Sequence, residues 1–147
     1  MLSDNLVLLR TLKGLSQEEV ADIIGISRQS YSKWELGDTT PDIEKCDRIA
    51  QFYGVSIDAL VHQNNEVEQT RIAPAPIGKH LFGVVTLGEK GQIVIPKAAR
   101  DVFQLTDESK LVVLGDVNQG IALVKLEDFE KGMQEALHLS HMPANKE

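Results

Sequence analysis

Between Leu15 and Gly37 the chain reads LSQEEVADIIGISRQSYSKWELG. Four polar side chains in it, Arg28, Gln29, Ser32 and Lys33, fall on one face if the second half of this segment is helical, with Ser30 near the edge of that face. Their donors suit the edges of bases. A guanidinium fork matches the two acceptors of guanine and a carboxamide pairs with adenine, each worth about 1–3 kcal/mol of discrimination. Gln17 opens the preceding helix, where free backbone N–H groups and the helix dipole favour a phosphate. With Ser27, which precedes Arg28, the candidate contact set is Gln17, Ser27, Arg28, Gln29, Ser30, Ser32 and Lys33.

Such a face is useful only if other elements hold it outward. Ala21 is small enough for two helices to cross, Gly25–Ile26 gives a tight turn, and Ile26, Tyr31 and Trp34 supply an inward face. A second helix held this way projects its polar face into a major groove. The flanking sequence fits. Leu2, Leu6, Leu9 and Leu12 recur at helical spacing before Gly14. Ser16 and Glu19 form a capping box ahead of Val20, Ala21 and Ile24. Ser27 caps the third helix and Gly37 follows it. Thr40 and Pro41 are expected to start a fourth helix, since proline suits the first helical position, with Ile43, Cys46, Ile49, Ala50 and Tyr53 facing inward. Gly54 stops it, and Ser56 caps a fifth ending near Leu60. Residues 1–62 are therefore expected to be all-α.

Residues 63–79 (QNNEVEQTRIAPAPIGK) are polar and contain Pro74 and Pro76, which favour extended backbone. They are expected to be a linker. From residue 82 the pattern changes to short β runs: FGVVTL, QIVIP, KLVVLG and GIALVKL, with a short helix over Lys97–Phe103. This second domain is assigned to residues 80–129. A tail over 130–147 follows, its helix beginning near Glu127 with Phe129, Met133, Ala136 and Leu137 at helical spacing, and residues 141–147 fraying.

The chain has 147 residues and a net charge of −7, shared between both halves. That acidity predicts weak non-specific attraction to phosphates, although at physiological salt acids beyond about 8 Å matter little to a local cation. No apolar run approaches the roughly 20 residues of a membrane span, and the N-terminus lacks a basic flank or cleavage site. The single Cys46 makes no internal disulfide, suits a reducing cytoplasm, and reads as a buried apolar filler. His138 and His141 are three apart but lack further ligands, so no metal site is expected. No catalytic group and no cofactor is expected either.

The segment from Leu15 to Gly37, with the following TTPDIEKCDRIAQFYGVSIDALV, resembles the XRE (Cro/cI-type) helix-turn-helix family over about residues 3–61. The resemblance implies a five-helix domain, binding to double-stranded DNA as a dimer, base contacts at Arg28, Gln29, Ser32 and Lys33, and a structural pair between Arg10 and Glu35. The segment with GQIVIPKAAR, a leucine-led turn and two strands around DVNQG resembles the AbrB/MazE/SpoVT swapped-hairpin domain over about residues 82–129. That implies an obligate homodimer of interleaved chains. It also implies a second DNA contact through Lys90, Lys97 and Arg100, although Gln92 and Asp101 stand where that family often has basic residues. Dimerisation is visible physically too, because four strands and a helix in under fifty residues bury little apolar surface alone and leave strand edges exposed. The fold expected is thus two domains, an all-α five-helix helix-turn-helix domain and a small β-rich swapped-hairpin domain. The function expected is a cytoplasmic transcription regulator, a homodimeric repressor. The alternative is an antitoxin whose acidic tail, Glu127–Leu137, wraps a toxin.

Overall fold

Four of the first five helices open on a side-chain cap, which fixes where each begins. The computed structural model describes residues 1–140; the end of the tail, 141–147, with His141, lies outside the described residues. The helices are α1 (Leu2–Leu12), α2 (Gln17–Ile24), α3 (Arg28–Leu36), α4 (Ile43–Tyr53) and α5 (Ile57–His62). Ser16 Oγ accepts from the Glu19 N–H at 3.2 Å, and Glu19 Oε2 accepts from the Ser16 N–H at 2.7 Å, which completes the capping box. Ser27, Asp42 and Ser56 accept in the same way from Ser30, Lys45 and Ala59. The turn between α2 and α3 needs Gly25, at φ 80°, a left-handed conformation that glycine adopts without steric cost.

The core of these helices is Leu6, Val20, Ile24, Tyr31, Ile49 and Leu60, all fully buried. One polar residue is buried with them. Asn5 donates from Nδ2 to the carbonyl oxygens of Leu60 and Gln63, both at 2.9 Å, and so ties α1 to carbonyls at the end of α5 that lack helical partners.

The fourth helix differs from its expected start. Its cap is Asp42, not Thr40, and Pro41 lies before the cap, buried. The two-residue shift puts Ile43 in the first turn facing solvent, 79% exposed, while Cys46, Ile49, Ala50 and Tyr53 keep the inward face. Leu12, at helical spacing with the core leucines of α1, is also exposed.

Residues 63–79 are more structured than an extended linker. They contain an antiparallel hairpin, β1 (Asn65–Val67) and β2 (Thr70–Ile72), whose turn places Glu68 and Gln69 at φ 46° and 68°. Positive φ at both central residues is the twist-matched hairpin geometry. The segment is tied to the helices: Arg71 pairs with Asp4, Ala73 packs on the core, Pro74 is buried, and the Ile77 N–H donates to Gly54 O at 2.9 Å.

The chain divides into two compact units, Met1–Val94 and Ile95–Glu147. The first two expected strands, over 82–87 and 92–96, do not form. A strand exists only where a second backbone pairs with it. Here the turn at Gly88 to Gln92, closed by Gly88 N–H to Gln92 O at 2.8 Å, is followed by no ladder. The other two expected strands do form. In the second unit, α6 (Lys97–Val102) precedes the antiparallel pair β3 (Leu111–Asp116) and β4 (Gly120–Lys125), and α7 (Leu126–Ser140) follows. Val113 stands opposite Leu123 and Gly115 opposite Ile121. Ala99 is the one buried residue of this unit among the described residues.

Asn5→Ala removes both ties to α5 and leaves buried carbonyls unpaired, a loss of about 1–3 kcal/mol. Urea unfolding will show a lower midpoint with an unchanged slope.

Candidate nucleic-acid interface

Behind α3 lies a carboxylate with almost no access to water. The Glu35 side chain is 5% exposed. Arg10, from α1, meets it with two donors: Nε to Oε1 at 2.6 Å and Nη2 to Oε2 at 3.0 Å. The third arm, Nη1, donates to Leu15 O at 2.9 Å. This bidentate geometry suits a planar guanidinium against a planar carboxylate. Gln17, from α2, donates from Nε2 to Glu35 Oε2 at 2.8 Å. One carboxylate thus joins α1, α2 and α3. Burial pushes the Glu35 carboxyl upward, but the hydrogen bonds from Arg10 and Gln17 outweigh it and hold it below the ordinary glutamate value.

The surrounding phenols stay neutral at physiological pH. Burial raises Tyr31 well above the ordinary tyrosine range, with nearby Tyr53 and Glu35 adding to it, and burial pushes Tyr53 up to about 12. Tyr31 and Trp34 meet edge to face, ring centres 6.1 Å apart, and anchor the inner side of α3. With that side fixed, the outer side is fixed as well.

Five of the residues expected from the sequence, Gln17, Arg28, Gln29, Ser32 and Lys33, line one groove of about 550 Å³. Leu36 and Asp38 complete it. Arg28, Gln29 and Lys33 are exposed and Ser32 is half-buried. Among the described residues none is hydrogen-bonded or ion-paired to the side chains of Arg28, Gln29 or Lys33, so their donors stand ready for an outside acceptor. Gln17 is half-buried, and its bond to Glu35 leaves one amide N–H for a phosphate. Ser27 and Ser30 are placed differently. Their hydroxyls sit 2.9 Å from each other at the helix start, where Ser27 also caps the Ser30 N–H at 3.1 Å, and neither lines the groove. Leu36 was not marked by the sequence reading, which followed polar side chains only; its signal was its spacing, four residues after Ser32 and eight after Arg28.

The second expected basic set is divided between the two units. Lys97 pairs with Asp101 at 2.7 Å and Arg100 donates to Ile95 O at 3.2 Å, while Lys90 is exposed in the Gly88–Gln92 turn. Among the described residues, no group of His, Cys, Asp and Glu side chains has the arrangement of a metal site. No described helix is long and apolar enough to cross a membrane.

The sequence of residues 6–60 matches the Helix-turn-helix family. One relative, the uncharacterized HTH-type transcriptional regulator MJ0272 of Methanocaldococcus jannaschii, is 36% identical over 58 residues, which are 39% of this chain and 88% of that protein. The chain belongs to the helix-turn-helix family. Two longer relatives are also similar to this chain. The SPbeta prophage-derived uncharacterized HTH-type transcriptional regulator YonR of Bacillus subtilis is 41% identical over 61 residues, 42% of this chain and 56% of YonR. The cryptic phage CTXphi transcriptional repressor RstR of Vibrio cholerae is 41% identical over 61 residues, 42% of this chain and 55% of RstR. The chain thus spans about half the length of these two helix-turn-helix relatives.

Arg10→Ala leaves the Glu35 charge buried and unpaired, at a cost of about 3–5 kcal/mol. Arg10→Met combined with Glu35→Met recovers most of that, read from urea midpoints at neutral pH. The sign with pH follows from the lowered Glu35 value: the pair's contribution is full above the ordinary glutamate range and is lost as pH falls through the folded value. Wild type will therefore weaken more steeply on acidification than the double variant.

Proposed function

We propose that this chain is a sequence-specific DNA-binding transcription regulator that acts as a homodimer and represses nearby promoters. The observation that carries this reading is the groove along α3, where unpaired donors of Arg28, Gln29 and Lys33 converge on a helix anchored from behind by Arg10 and Glu35. The matches to named transcriptional regulators support it, and the name of RstR supports repression. In this reading α3 enters a major groove with Arg28, Gln29, Ser32 and Lys33 on base edges, and Gln17 positions the head on a phosphate. Residues 1–62 hold six Lys/Arg against ten Asp/Glu, which makes a single head a poor non-specific binder, so useful affinity comes from pairing two heads on half-sites about 34 Å apart or a multiple of that.

The C-terminal unit would supply the pairing, as its resemblance to swapped-hairpin domains implies. It has almost no core of its own. Val113, Ile121 and Leu123 share one face of the β3–β4 hairpin and are 66%, 80% and 44% exposed. Val84, Val85, Ile93 and Val94, in the segments expected as strands, are also exposed. A second copy would cover these side chains and give the unpaired backbone a partner. Because the segment from Asn65 to Ile77 is tied to the helices, it would not itself serve as the tether that lets half-site spacing vary.

Arg28→Ala and Gln29→Ala will each weaken binding to the selected operator about thirty-fold, near the middle of the range for a bidentate base contact, while circular dichroism stays unchanged. Unaltered affinity in both would remove this contact assignment. Val113→Lys with Ile121→Lys will sediment as a monomer at micromolar concentration and bind the operator more weakly; a dimer at that concentration would place the interface elsewhere.

A further inference from the structure

One side chain on the outer side of α3 has no polar chemistry to offer and no core to fill. Leu36 is 71% exposed and lines the same groove as Arg28, Gln29, Ser32 and Lys33. At about 100° per residue, Arg28 to Lys33 covers an arc of about 140°, and Leu36 falls near its middle, at about 80° from Arg28. Tyr31 and Trp34 lie on the opposite side, in the core. Leu36 thus lies on the midline of the face, at the C-terminal end of α3. Asp38, whose N–H donates to Lys33 O at 2.9 Å, sets a carboxylate in the same groove beyond Leu36. A negative charge there disfavours a phosphate at that end and leaves base edges as the surface to be met.

We infer that Leu36 is a specificity-determining residue that reads the 5-methyl group of a thymine in each half-site. Among the groups that base pairs present in the major groove, that methyl is the apolar one, and apolar side chains recognise it by contact. A lone leucine ringed by polar side chains is too small to be a protein-docking patch. This inference rests on α3 lying in a major groove. It adds a base preference that hydrogen bonding by Arg28 and Gln29 does not supply.

The test begins with the full-length protein selecting duplexes from a random pool. The enriched duplex is remade with deoxyuridine replacing thymidine at one position at a time, which removes a methyl and leaves every hydrogen-bonding group. At fixed salt, one substitution per half-site will weaken wild-type binding about four-fold, the loss expected for one buried methyl-sized group. Leu36→Ala, folded by circular dichroism because the residue is exposed, will bind thymine and uracil duplexes equally. Enrichment of a sequence with no thymine in the half-site, no methyl effect in wild type, or an equal methyl effect in Leu36→Ala would each overturn the role of Leu36 while leaving DNA reading intact. Failure to enrich any sequence would overturn the DNA reading itself, and this inference with it.

Discussion

The buried Arg10–Glu35 pair is the constraint on which the reading face depends. A carboxylate taken out of water is costly unless its charge and lone pairs are met. Glu35 is met by Arg10 from α1 and by Gln17 from α2, and it sits on α3 itself. Three helices are therefore fixed by one carboxylate, and α3 can neither rotate nor slide without stranding that charge. Tyr31 and Trp34 add the apolar half of the same restraint. The outer residues of α3 inherit their positions from it, so a rigid outer face is a consequence of a polar node inside. Gln17 links the two directly, since its amide touches both the buried carboxylate and the groove.

The two units solve the problem of stability differently. The first buries a continuous apolar cluster running from Leu6 to Leu60, with the capped helices wrapped around it. The second buries Ala99 among its described residues and leaves Val113, Leu114, Ile121 and Leu123 of its hairpin exposed. A unit of that size gains too little from burial to offset the entropy of ordering its backbone. In the proposed homodimer, association with a second copy would add contacts to it. DNA affinity and folding of the C-terminal unit would thereby be linked, both rising with protomer concentration.

Much of the first unit was legible in the sequence because its signals are local. Ser16 with Glu19, Ser27, Ser56, Gly25, Gly37 and Gly54 mark helix ends through hydrogen bonds that span only a few residues. Groove residues Arg28, Gln29, Ser32 and Lys33 followed from helical spacing alone. Signals that compete or act at long range were less legible. Thr40-Pro41 and Asp42 both suit a helix start, and the buried Pro41 favoured the later one. The hairpin over 65–72 turns on Glu68 and Gln69, which are not residues that announce positive φ. Asn5 looks like any polar residue in a helix until α5 is placed beside it. The runs at 82–87 and 92–96 carry strand propensity, but propensity does not supply a pairing partner.

The central claim is that α3 reads DNA sequence from two heads at once. Mapping the binding sites of the full-length protein across its host genome tests this most directly, because half-site sequence and spacing emerge together. The account predicts discrete sites, each with two related half-sites whose centres are separated by about one helical turn or a multiple of it. Binding without sequence enrichment, or enrichment of single isolated half-sites, would contradict it.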